Sequence, residues 1–286
     1  MSNFRISPNL PPETMLWRYM SLDKFIDLLS TGELYFTPVS SYINSDPFEG
    51  LLPKVAQDAM AGIFKNSVDD FNETIKPLEE MINASQGPNQ ENARRDLELL
   101  RERISTHLPM MEKTYFAIMK SVTVSCWHKN ETESEGMWRL YSDLNKGIAI
   151  QTNVARLIEA ITADNYIVIS EVKYLDYLDP TLTPQDCIVN GNFGPYLKRL
   201  SFAHENEVRM TISPPFDHKN IDSHKPSGVR IKIDPLKLIE KIYISPYVSQ
   251  PFPNAVNSVA EKFGLDKKII VTSKLLQVDE SLLSLY

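Results

Sequence analysis

The sequence predicts one α+β domain over residues 1–286, built on a mixed, mostly antiparallel sheet that carries an inserted helical hairpin. Three features lead to this prediction. The chain opens with a strand–helix–strand unit, strand-like segments lie on both sides of a long helical stretch, and no linker-like segment separates them. Hydrophobic residues make up 42% of the chain and charged residues 23%, which is typical of a globular protein with a substantial core.

The N-terminal unit is the clearest local pattern in the chain. Residues 15–20 form a short apolar and aromatic run that predicts a strand. Ser21 is a favourable N-cap for the helix that follows, and Gly32 is a favourable residue to end it. Residues 33–37 return as a second strand, which Pro38 stops because proline cannot donate to a strand ladder.

Residues 54–118 are predicted to form an inserted helical hairpin. Two apolar stripes recur at helical spacing, one on each predicted helix. They consist of Phe71, Ile75, Leu78 and Ile82, and of Ala93, Leu97, Leu100 and Ile104. Residues 85–89 have the composition of a turn between the two helices. The outer faces are dense in Glu and Arg, which indicates that the stripes face each other and the charges face water.

The segment after the hairpin alternates between strand and helix patterns. Strands are predicted at residues 121–127, 147–152, 166–174, 207–212, 229–233, 241–245 and 269–272. Helices are predicted at residues 137–144, 153–163, 196–203 and 255–263. Strands on both sides of the hairpin favour one sheet that carries an insertion.

Composition and charge argue against several classes of function. A net charge of −7 and a pI of about 5.4 give no field that attracts phosphate backbones, which disfavours general nucleic-acid binding. The two cysteines, Cys126 and Cys187, are too few for a disulfide framework, and no Cys and His cluster has the spacing of a zinc site. Residues 1–13 lack the apolar segment of a signal peptide, and no apolar run reaches the ~20 residues of a membrane helix. These features predict a cytoplasmic protein with no membrane partner.

Four short motifs place charged and aromatic side chains within apolar surroundings. They are Trp17-Arg18-Tyr19, Asp46-Pro47-Phe48-Glu49, Met137-Trp138-Arg139-Leu140-Tyr141 and His204-Glu205-Asn206-Glu207-Val208-Arg209. In order and spacing, these motifs resemble a bacterial family catalogued as domain of unknown function 2971, from about residue 16 to residue 212. Proteins similar to this family often occur in bacterial toxin and anti-phage settings. The resemblance therefore implies a defence effector that acts on a macromolecular target, without implying a particular reaction.

The motifs also resemble the Arg–Ser–Glu layout of ADP-ribosyltransferases, which use NAD as a substrate. Arg18 and Ser125 match the first two positions of that layout, and a later Glu-x-Glu, formed by Glu205 and Glu207, matches the third. The resemblance implies that Arg18, with Tyr19 beside it, holds the NAD pyrophosphate and that Ser125 orders the site. It implies that Glu207 is catalytic, stabilising the charge that develops on the ribose, while Glu205 orients the acceptor. Because the two glutamates alternate along the chain, we expect them on the same side of one strand.

The remaining candidates surround this proposed NAD site. Trp138 and Tyr141 lie at helical spacing, so they either pack in the core or stack on a base or on the nicotinamide ring. The NAD hypothesis uses the second alternative. Asp46, Glu49 and Arg209 are assigned to a supporting polar network.

Arg18 lies in an apolar strand, where a guanidinium needs a partner. One alternative is a structural ion pair with Glu49 or Glu207. The other is that its planar fork is presented to a phosphate or a carboxylate of a ligand. In both cases we expect Arg18, Glu49 and Glu207 to converge in one pocket.

Two other functions remain open from the sequence. A metal-dependent nuclease would use Asp46 and Glu49 as Mg²⁺ ligands, together with the Glu-x-Lys of Glu171 and Lys173. A non-catalytic binding or regulatory module would use the polar network only as structure, with Asp46 starting a turn and Phe48 anchored in the core. In the leading hypothesis the partners are a small-molecule nucleotide, NAD, and a macromolecular target that the sequence does not identify, and no metal is needed.

Overall fold

The computed structural model describes residues 3–87, 89–142, 146–191, 194–213, 215 and 225–277. Within these residues, ten strands form one mixed, mostly antiparallel sheet, and two further strands form a small parallel pair. A long helical hairpin is inserted between the third and fourth strands of the chain. The α+β class predicted from the sequence is therefore confirmed.

Twelve strands and seven α-helices are assigned within the described residues. The strands are β1 (Phe4–Ile6), β2 (Met15–Ser21), β3 (Glu33–Pro38), β4 (Thr123–Lys129), β5 (Gly147–Asn153), β6 (Ile167–Glu171), β7 (Lys173–Leu175), β8 (Leu197–Arg199), β9 (Glu207–Ile212), β10 (Val229–Lys232), β11 (Lys241–Ile244) and β12 (Ile270–Thr272). The α-helices are α1 (Leu22–Thr31), α2 (Lys54–Ala84), α3 (Gln90–Ser121), α4 (Glu135–Tyr141), α5 (Val154–Ala160), α6 (Pro235–Leu238) and α7 (Phe252–Lys262). Short 3₁₀ helices lie at Val39–Tyr42, Pro184–Cys187, Leu200–Glu205 and Lys267–Ile269.

The main sheet runs in the order β1-β6-β9-β4-β2-β5-β11-β12, with β3 and β10 forming a branch beside β4. Its neighbours are antiparallel except for the two end pairs, β1 with β6 and β11 with β12. The order puts β9, β4 and β2 side by side. Three of the predicted site residues, Glu207, Ser125 and Arg18, therefore lie on three neighbouring strands.

The sheet divides along one edge of β4, because two strands share that edge. At the start of β4 two residues pair with the end of β3, and at its end two residues pair with the start of β2. Between these pairs, Ser125, Cys126 and Trp127 have no ladder partner on this edge among the described strands. An opening therefore lies between β2 and β3, next to the middle of β4.

The predicted strand–helix–strand unit is present as β2, α1 and β3. Gly32 ends α1 in the left-handed conformation at φ 60°, where its amide donates to the carbonyl of Leu28 at 3.0 Å. Ser21 occupies the N-cap position, but its side chain makes no capping hydrogen bond. Instead of pairing with each other, β2 and β3 each pair with β4, which creates the opening.

The main hydrophobic core covers one face of the sheet. Alternate strand residues point to this face, and α1, α5 and α7 contribute Phe25, Leu157 and Val256, which are fully buried. Burying a side chain of this size contributes roughly 1.5–3 kcal/mol. A smaller aromatic cluster, which includes Trp17 and Trp138, lies apart from the main core.

Two predicted elements of the second half differ from the structure. Residues 196–203, predicted as a helix, form β8 and the start of the 3₁₀ helix Leu200–Glu205. That helix ends because Asn206 adopts a left-handed conformation at φ 38° and turns the chain into β9. Residues 166–174, predicted as one strand, divide into β6 and β7 around Val172, whose amide donates to the carbonyl of Glu207 at 2.8 Å.

The inserted hairpin consists of α2 and α3, so it spans residues 54–121 and not the predicted 54–118. At its base, α2 contacts the 3₁₀ helix Pro184–Cys187 and α3 contacts the 3₁₀ helix Val39–Tyr42. Farther out, the two helices contact each other. The second of these base contacts brings the hairpin next to the opening in the sheet.

The apolar stripes of the hairpin cover each other only in part. Ile75 and Leu97 are buried, whereas Phe71 and Leu78 are 38% and 47% exposed. Two helices alone cannot enclose a stripe of this width. None of the described helices combines the length and the apolar character that a membrane span requires.

The outer part of the hairpin should be dispensable for folding. We expect that replacing residues 67–107 with a short Gly/Ser linker gives a soluble protein that still melts cooperatively, because the distal helices contact mainly each other. Circular dichroism melting and size-exclusion chromatography check this result. The control is Ala56→Asp at the fully buried base of α2, which should destabilise the fold strongly. An insoluble linker variant would mean that the whole hairpin belongs to the core.

Candidate ligand-binding site

A cavity of about 550 Å³ lies at the opening between β2 and β3. Its volume is within the range of roughly 300–1,000 Å³ that is usual for small-molecule sites. Aromatic side chains form much of the wall, namely Trp17, Tyr19, Tyr42, Trp127 and Tyr141. Charged side chains of both signs also line it, together with aliphatic ones. The cavity can therefore contact a flat ring and a charged group of the same ligand.

Arg18 projects from β2 and lines this cavity. Its Nη1 donates to the Oγ of Ser125 at 2.5 Å, and its guanidinium carbon lies 5.5 Å from the ring centre of Trp127. Both partners are neutral, and no carboxylate among the described residues lies within ion-pair distance of Arg18. Burial lowers the pKa of Arg18, because desolvation disfavours the charged form. A guanidinium nevertheless stays charged in proteins, so this charge is left without a counterion.

The carboxylates of the cavity differ from Arg18, because each of the six lies within 4.0 Å of a cation. The pairs are Asp27 with Arg230, Glu33 with Lys232, Asp46 with Arg199, Glu49 with Arg209, Glu205 with Lys198, and Glu207 with Arg209. Within the described residues, the lining charges without an opposite partner are Arg18 and the exposed Lys24, and both are positive. The described lining holds six carboxylates and five cations, so the total charge does not favour an anion, and the positive charge available to an anionic ligand is the local one at Arg18.

A buried network on one side of the cavity shares two cations among three glutamates. Arg209 holds Glu207 through two parallel hydrogen bonds, Nε to Oε1 at 2.8 Å and Nη2 to Oε2 at 3.0 Å. Its Nη1 also donates to Oε1 of Glu49 at 2.7 Å. Lys198 bonds to Oε2 of Glu205 and lies 3.7 Å from Glu49 and 3.6 Å from Glu207. Both oxygens of Glu207 are thus engaged by one guanidinium.

The network fixes the charge states of its members. Burial alone raises the pKa of Glu207, but Arg209 and then Lys198 outweigh this effect and hold that pKa below its ordinary value. Burial lowers the pKa of Arg209, yet Glu207 and Glu49 raise it well above the usual value. The pKa of Lys198 is raised in the same way, mainly by Glu207 and Glu205 against burial. Glu207, Arg209 and Lys198 are therefore charged, and removing one of them leaves a buried charge behind.

The loop at residues 46–49 binds the network from outside. Asp46 Oδ1 accepts from Nη2 of Arg199 at 2.7 Å, and Glu49 accepts from Arg209. The ring of Phe48 lies 4.5 Å from the Arg199 guanidinium and is 44% exposed, so the expectation that Phe48 is anchored in the core is wrong. It packs on a charged side chain, because a guanidinium presents a flat face to an aromatic ring.

Glu205 and Glu207 do not share a strand. Glu205 ends the 3₁₀ helix Leu200–Glu205, and Glu207 is the first residue of β9. The prediction that both carboxylates lie on the same side of one strand is therefore wrong. The left-handed residue between them, Asn206, changes the direction of the chain. Oε1 of Glu205 accepts from the hydroxyl of Tyr141 at 3.1 Å. Burial and then Glu205 raise the pKa of Tyr141, so this hydroxyl keeps its proton.

Arg18 and Glu207 reach the cavity from opposite faces of the sheet. Arg18 pairs with Ile150 of the main core, whereas Glu207 pairs with His128, which is itself opposite Trp17. Consecutive residues such as Trp17 and Arg18 point to opposite faces of a strand. The opening between β2 and β3 lets both side chains line one cavity. Arg18, Glu49 and Glu207 thus line one cavity, but Arg18 and Glu207 lie on opposite faces of the sheet and do not share one surface.

Three further candidates occupy different positions around the cavity. Tyr19 lines it, and its hydroxyl accepts from the amide of Ser134 at 2.7 Å. Ser125 positions Arg18 by hydrogen bonding. Trp138 is fully buried, stands edge-on to Tyr19 at 4.9 Å and donates to Glu133 at 2.9 Å. Of the two alternatives for Trp138, core packing or stacking on a ligand, the structure shows core packing. Trp138 packs against Tyr19 and does not line the cavity wall.

The residues of the nuclease hypothesis are dispersed. Asp46 and Glu49 bind arginines, and Glu171 pairs with Lys129 at 2.7 Å. Lys173 lies in β7, outside the cavity wall. In the part of the chain that the structure describes, no three or more His, Cys, Asp or Glu side chains are grouped so that they could hold a metal ion.

Two residues of the site were not identified from the sequence. Lys198 lies in a segment that was predicted as a helix. It follows the apolar pair Tyr196-Leu197, so it could have been found by the signal that identified Arg18, a charged residue in apolar surroundings. His128 follows the predicted strand at residues 121–127, and β4 extends past it to Lys129. Extending that strand by one residue would have included His128.

Residues 137–210 match the family model described as Protein of unknown function (DUF2971). The resemblance inferred from the motifs is therefore confirmed over this segment, roughly a quarter of the chain. The segment includes Lys198, Glu205, Glu207 and Arg209, and so most of the buried network, whereas Arg18 precedes it. No curated protein and no solved structure matches the chain.

Proposed function

We propose that the cavity binds a nucleotide through a phosphate group on Arg18, that this nucleotide is NAD, and that the protein transfers ADP-ribose from it. The observation that carries the proposal is the Arg18 guanidinium, which lines the cavity with neutral partners while each lining carboxylate is paired. A guanidinium binds phosphate through two parallel hydrogen bonds, which suits the pyrophosphate of a dinucleotide.

The walls of the cavity favour a nucleotide over a simple anion. Aromatic side chains of the wall such as Tyr42 and the exposed Tyr141 give a base or a nicotinamide ring a stacking surface in the same cavity as Arg18. The hydrogen bond between Arg18 and Ser125 supports the proposal that this hydroxyl positions the arginine. These features support NAD as the ligand, whereas no specific contact favours Mg²⁺ and a nucleic-acid substrate.

We assign the catalytic carboxylate to Glu205, in place of the Glu207 expected from the sequence. Both oxygens of Glu207 are held by Arg209, whereas Lys198 compensates Glu205 through Oε2 alone. Glu205 meets the Tyr141 hydroxyl at the cavity wall, where a ribose hydroxyl of the ligand can take its place. Glu207 then acts as a structural member of the network.

The reaction requires a carboxylate near the ribose. The bond between ribose C1′ and the nicotinamide nitrogen breaks, and its electron pair leaves with nicotinamide. The acceptor nucleophile bonds to C1′ and loses its proton. Positive charge develops on the ribose between these events, and a preorganised carboxylate stabilises it. An effector role as a toxin or in anti-phage defence, acting on a macromolecular target, belongs to the same proposal and rests on the family resemblance alone.

The test is nicotinamide release from NAD by the purified full-length protein, alone and with a bacterial cell extract that supplies the acceptor. We expect release above the level of the extract alone, with label from adenine-labelled NAD appearing on a macromolecule. The same protein incubated with RNA and Mg²⁺ serves as the comparison. RNA cleavage without NAD consumption would favour the nuclease over the transferase. NAD binding without either activity would favour a binding module.

A further inference from the structure

His128 is a buried histidine of the cavity wall with one nitrogen unused. It lies in β4 and is 5% exposed. Its Nδ1 is 2.6 Å from the backbone carbonyl oxygen of Glu205. A carbonyl oxygen only accepts, so Nδ1 carries the hydrogen. The other nitrogen, Nε2, is buried and has no hydrogen-bond partner among the described residues.

The surroundings of His128 favour the neutral ring. Burial is the largest influence and lowers the pKa of His128; Glu205 opposes it through its carbonyl and its charge, and His204 adds to the lowering. Glu207 lies opposite on β9, and Tyr19 stands edge-on with ring centres 6.2 Å apart. A neutral ring with its hydrogen on Nδ1 leaves a lone pair on Nε2. Nε2 is therefore a hydrogen-bond acceptor without a donor among the described residues.

We infer that Nε2 of His128 accepts a hydrogen bond from a ribose hydroxyl of the bound nucleotide, which makes His128 a specificity-determining residue of the cavity. The inference rests on the proposed function and deepens it by naming the group next to the phosphate. A buried acceptor without a donor costs free energy, and most such atoms in folded proteins are satisfied. Only a ligand that carries a hydroxyl at this place removes this cost.

The position of His128 fits a ribose. Across the ladder His128 pairs with Trp17, so it lies on the sheet face opposite to Arg18, and both side chains line the same cavity at the free edge of β4. In every nucleotide the sugar is the group attached to the phosphate. A ribose carries hydroxyl donors at this place, whereas a dideoxyribose does not. The protein should therefore distinguish two nucleotides that have the same charge and the same base.

The experiment is a titration of the full-length protein with ADP and with 2′,3′-dideoxy-ADP, carried out on wild type, His128→Asn and His128→Gln. Asparagine can still donate to the Glu205 carbonyl but has nothing at the place of Nε2, whereas glutamine carries an amide oxygen that reaches it. We expect wild type to prefer ADP about tenfold, equal to about 1.4 kcal/mol at 25 °C. The preference should disappear in His128→Asn and return in His128→Gln.

Equal affinity of wild type for the two nucleotides, or an undiminished preference in a folded His128→Asn protein, would overturn this inference and leave nucleotide binding intact. Failure of wild type to bind either nucleotide would overturn the proposed function together with it. NMR of nitrogen-labelled histidine in the wild type keeps the test independent of variant folding. It should find the Nδ1–H tautomer and a change at Nε2 on adding ADP but not dideoxy-ADP, and a protonated Nε2 in the free protein would contradict the inference.

Discussion

Replacing Arg209 with methionine should destabilise the protein by about 3–5 kcal/mol. Arg209 is 2% exposed and binds Glu207 through two N–H groups and Glu49 through a third. Without the guanidinium both carboxylates stay buried, and Lys198 lies no closer than 3.6 Å from either. Urea denaturation, which gives the free energy of unfolding, is the measurement.

The matched control is Arg101→Met. Arg101 pairs with Glu79 on the hairpin, where the two side chains are 47% and 32% exposed, so its loss should change stability by about 0–1 kcal/mol. The double variant Arg209→Met/Glu207→Leu should be less destabilised than Arg209→Met alone, because the stranded charge is removed with its partner. A loss in Arg209→Met no larger than in Arg101→Met would contradict the structural role of the network.

Replacing Glu205 with glutamine should lower NAD turnover on the order of 10²–10³-fold. The carboxylate charge acts mainly on the oxocarbenium-like ribose, so the loss should fall on kcat, with NAD affinity kept within about threefold. The fold should survive, because glutamine still accepts from Tyr141 and Lys198 keeps two other glutamates within 3.7 Å. Steady-state kinetics of nicotinamide release check the result.

Two further substitutions of glutamate by glutamine distinguish an effect on catalysis from an effect on stability. Glu171→Gln removes a half-buried carboxylate that pairs with Lys129 outside the cavity, and should leave kcat unchanged. Glu207→Gln breaks the double hydrogen bond to Arg209, so its main effect should be lost stability. A folded Glu205→Gln protein with wild-type kcat would remove Glu205 from the catalytic role.

The elements that the sequence predicted well are those whose signal is local. The strand–helix–strand unit follows from one apolar run, one amphipathic helix and Gly32, each readable within about ten residues. The hairpin follows from periodic apolar residues over two long helices. The sheet class follows from strands on both sides of that insertion. In each case the side-chain period alone determines the element, and the tertiary contacts agree with it.

The site was harder to predict, because its geometry depends on contacts between distant segments. Two arginines, Arg18 and Arg209, were available to Glu207, and only the register of β4 with its neighbours decides which one pairs. The opening in the sheet arises because β2 and β3 share one edge of β4, and no local pattern encodes a shared edge. The displacement of Glu205 from the strand depends on the single left-handed residue Asn206.

The stability of an Arg18→Met variant distinguishes a ligand-binding arginine from a structural one. Arg18 has neutral partners, and burial disfavours its charge. Methionine at this position should therefore leave the melting temperature unchanged or raise it, unlike the same substitution at Arg209. Binding residues that are strained or unpaired in the free protein commonly cost stability in this way.

Binding of a pyrophosphate by Arg18 is tested by the melting of wild type and Arg18→Met with and without ADP-ribose. This probe carries the pyrophosphate but cannot be turned over by release of nicotinamide. At a concentration of 100 times Kd, a ligand that binds only the native state stabilises it by about 2.7 kcal/mol. We expect this stabilisation in wild type and its loss in an Arg18→Met protein that is at least as stable when free. Equal stabilisation of both proteins, or a free variant destabilised as strongly as Arg209→Met, would contradict it.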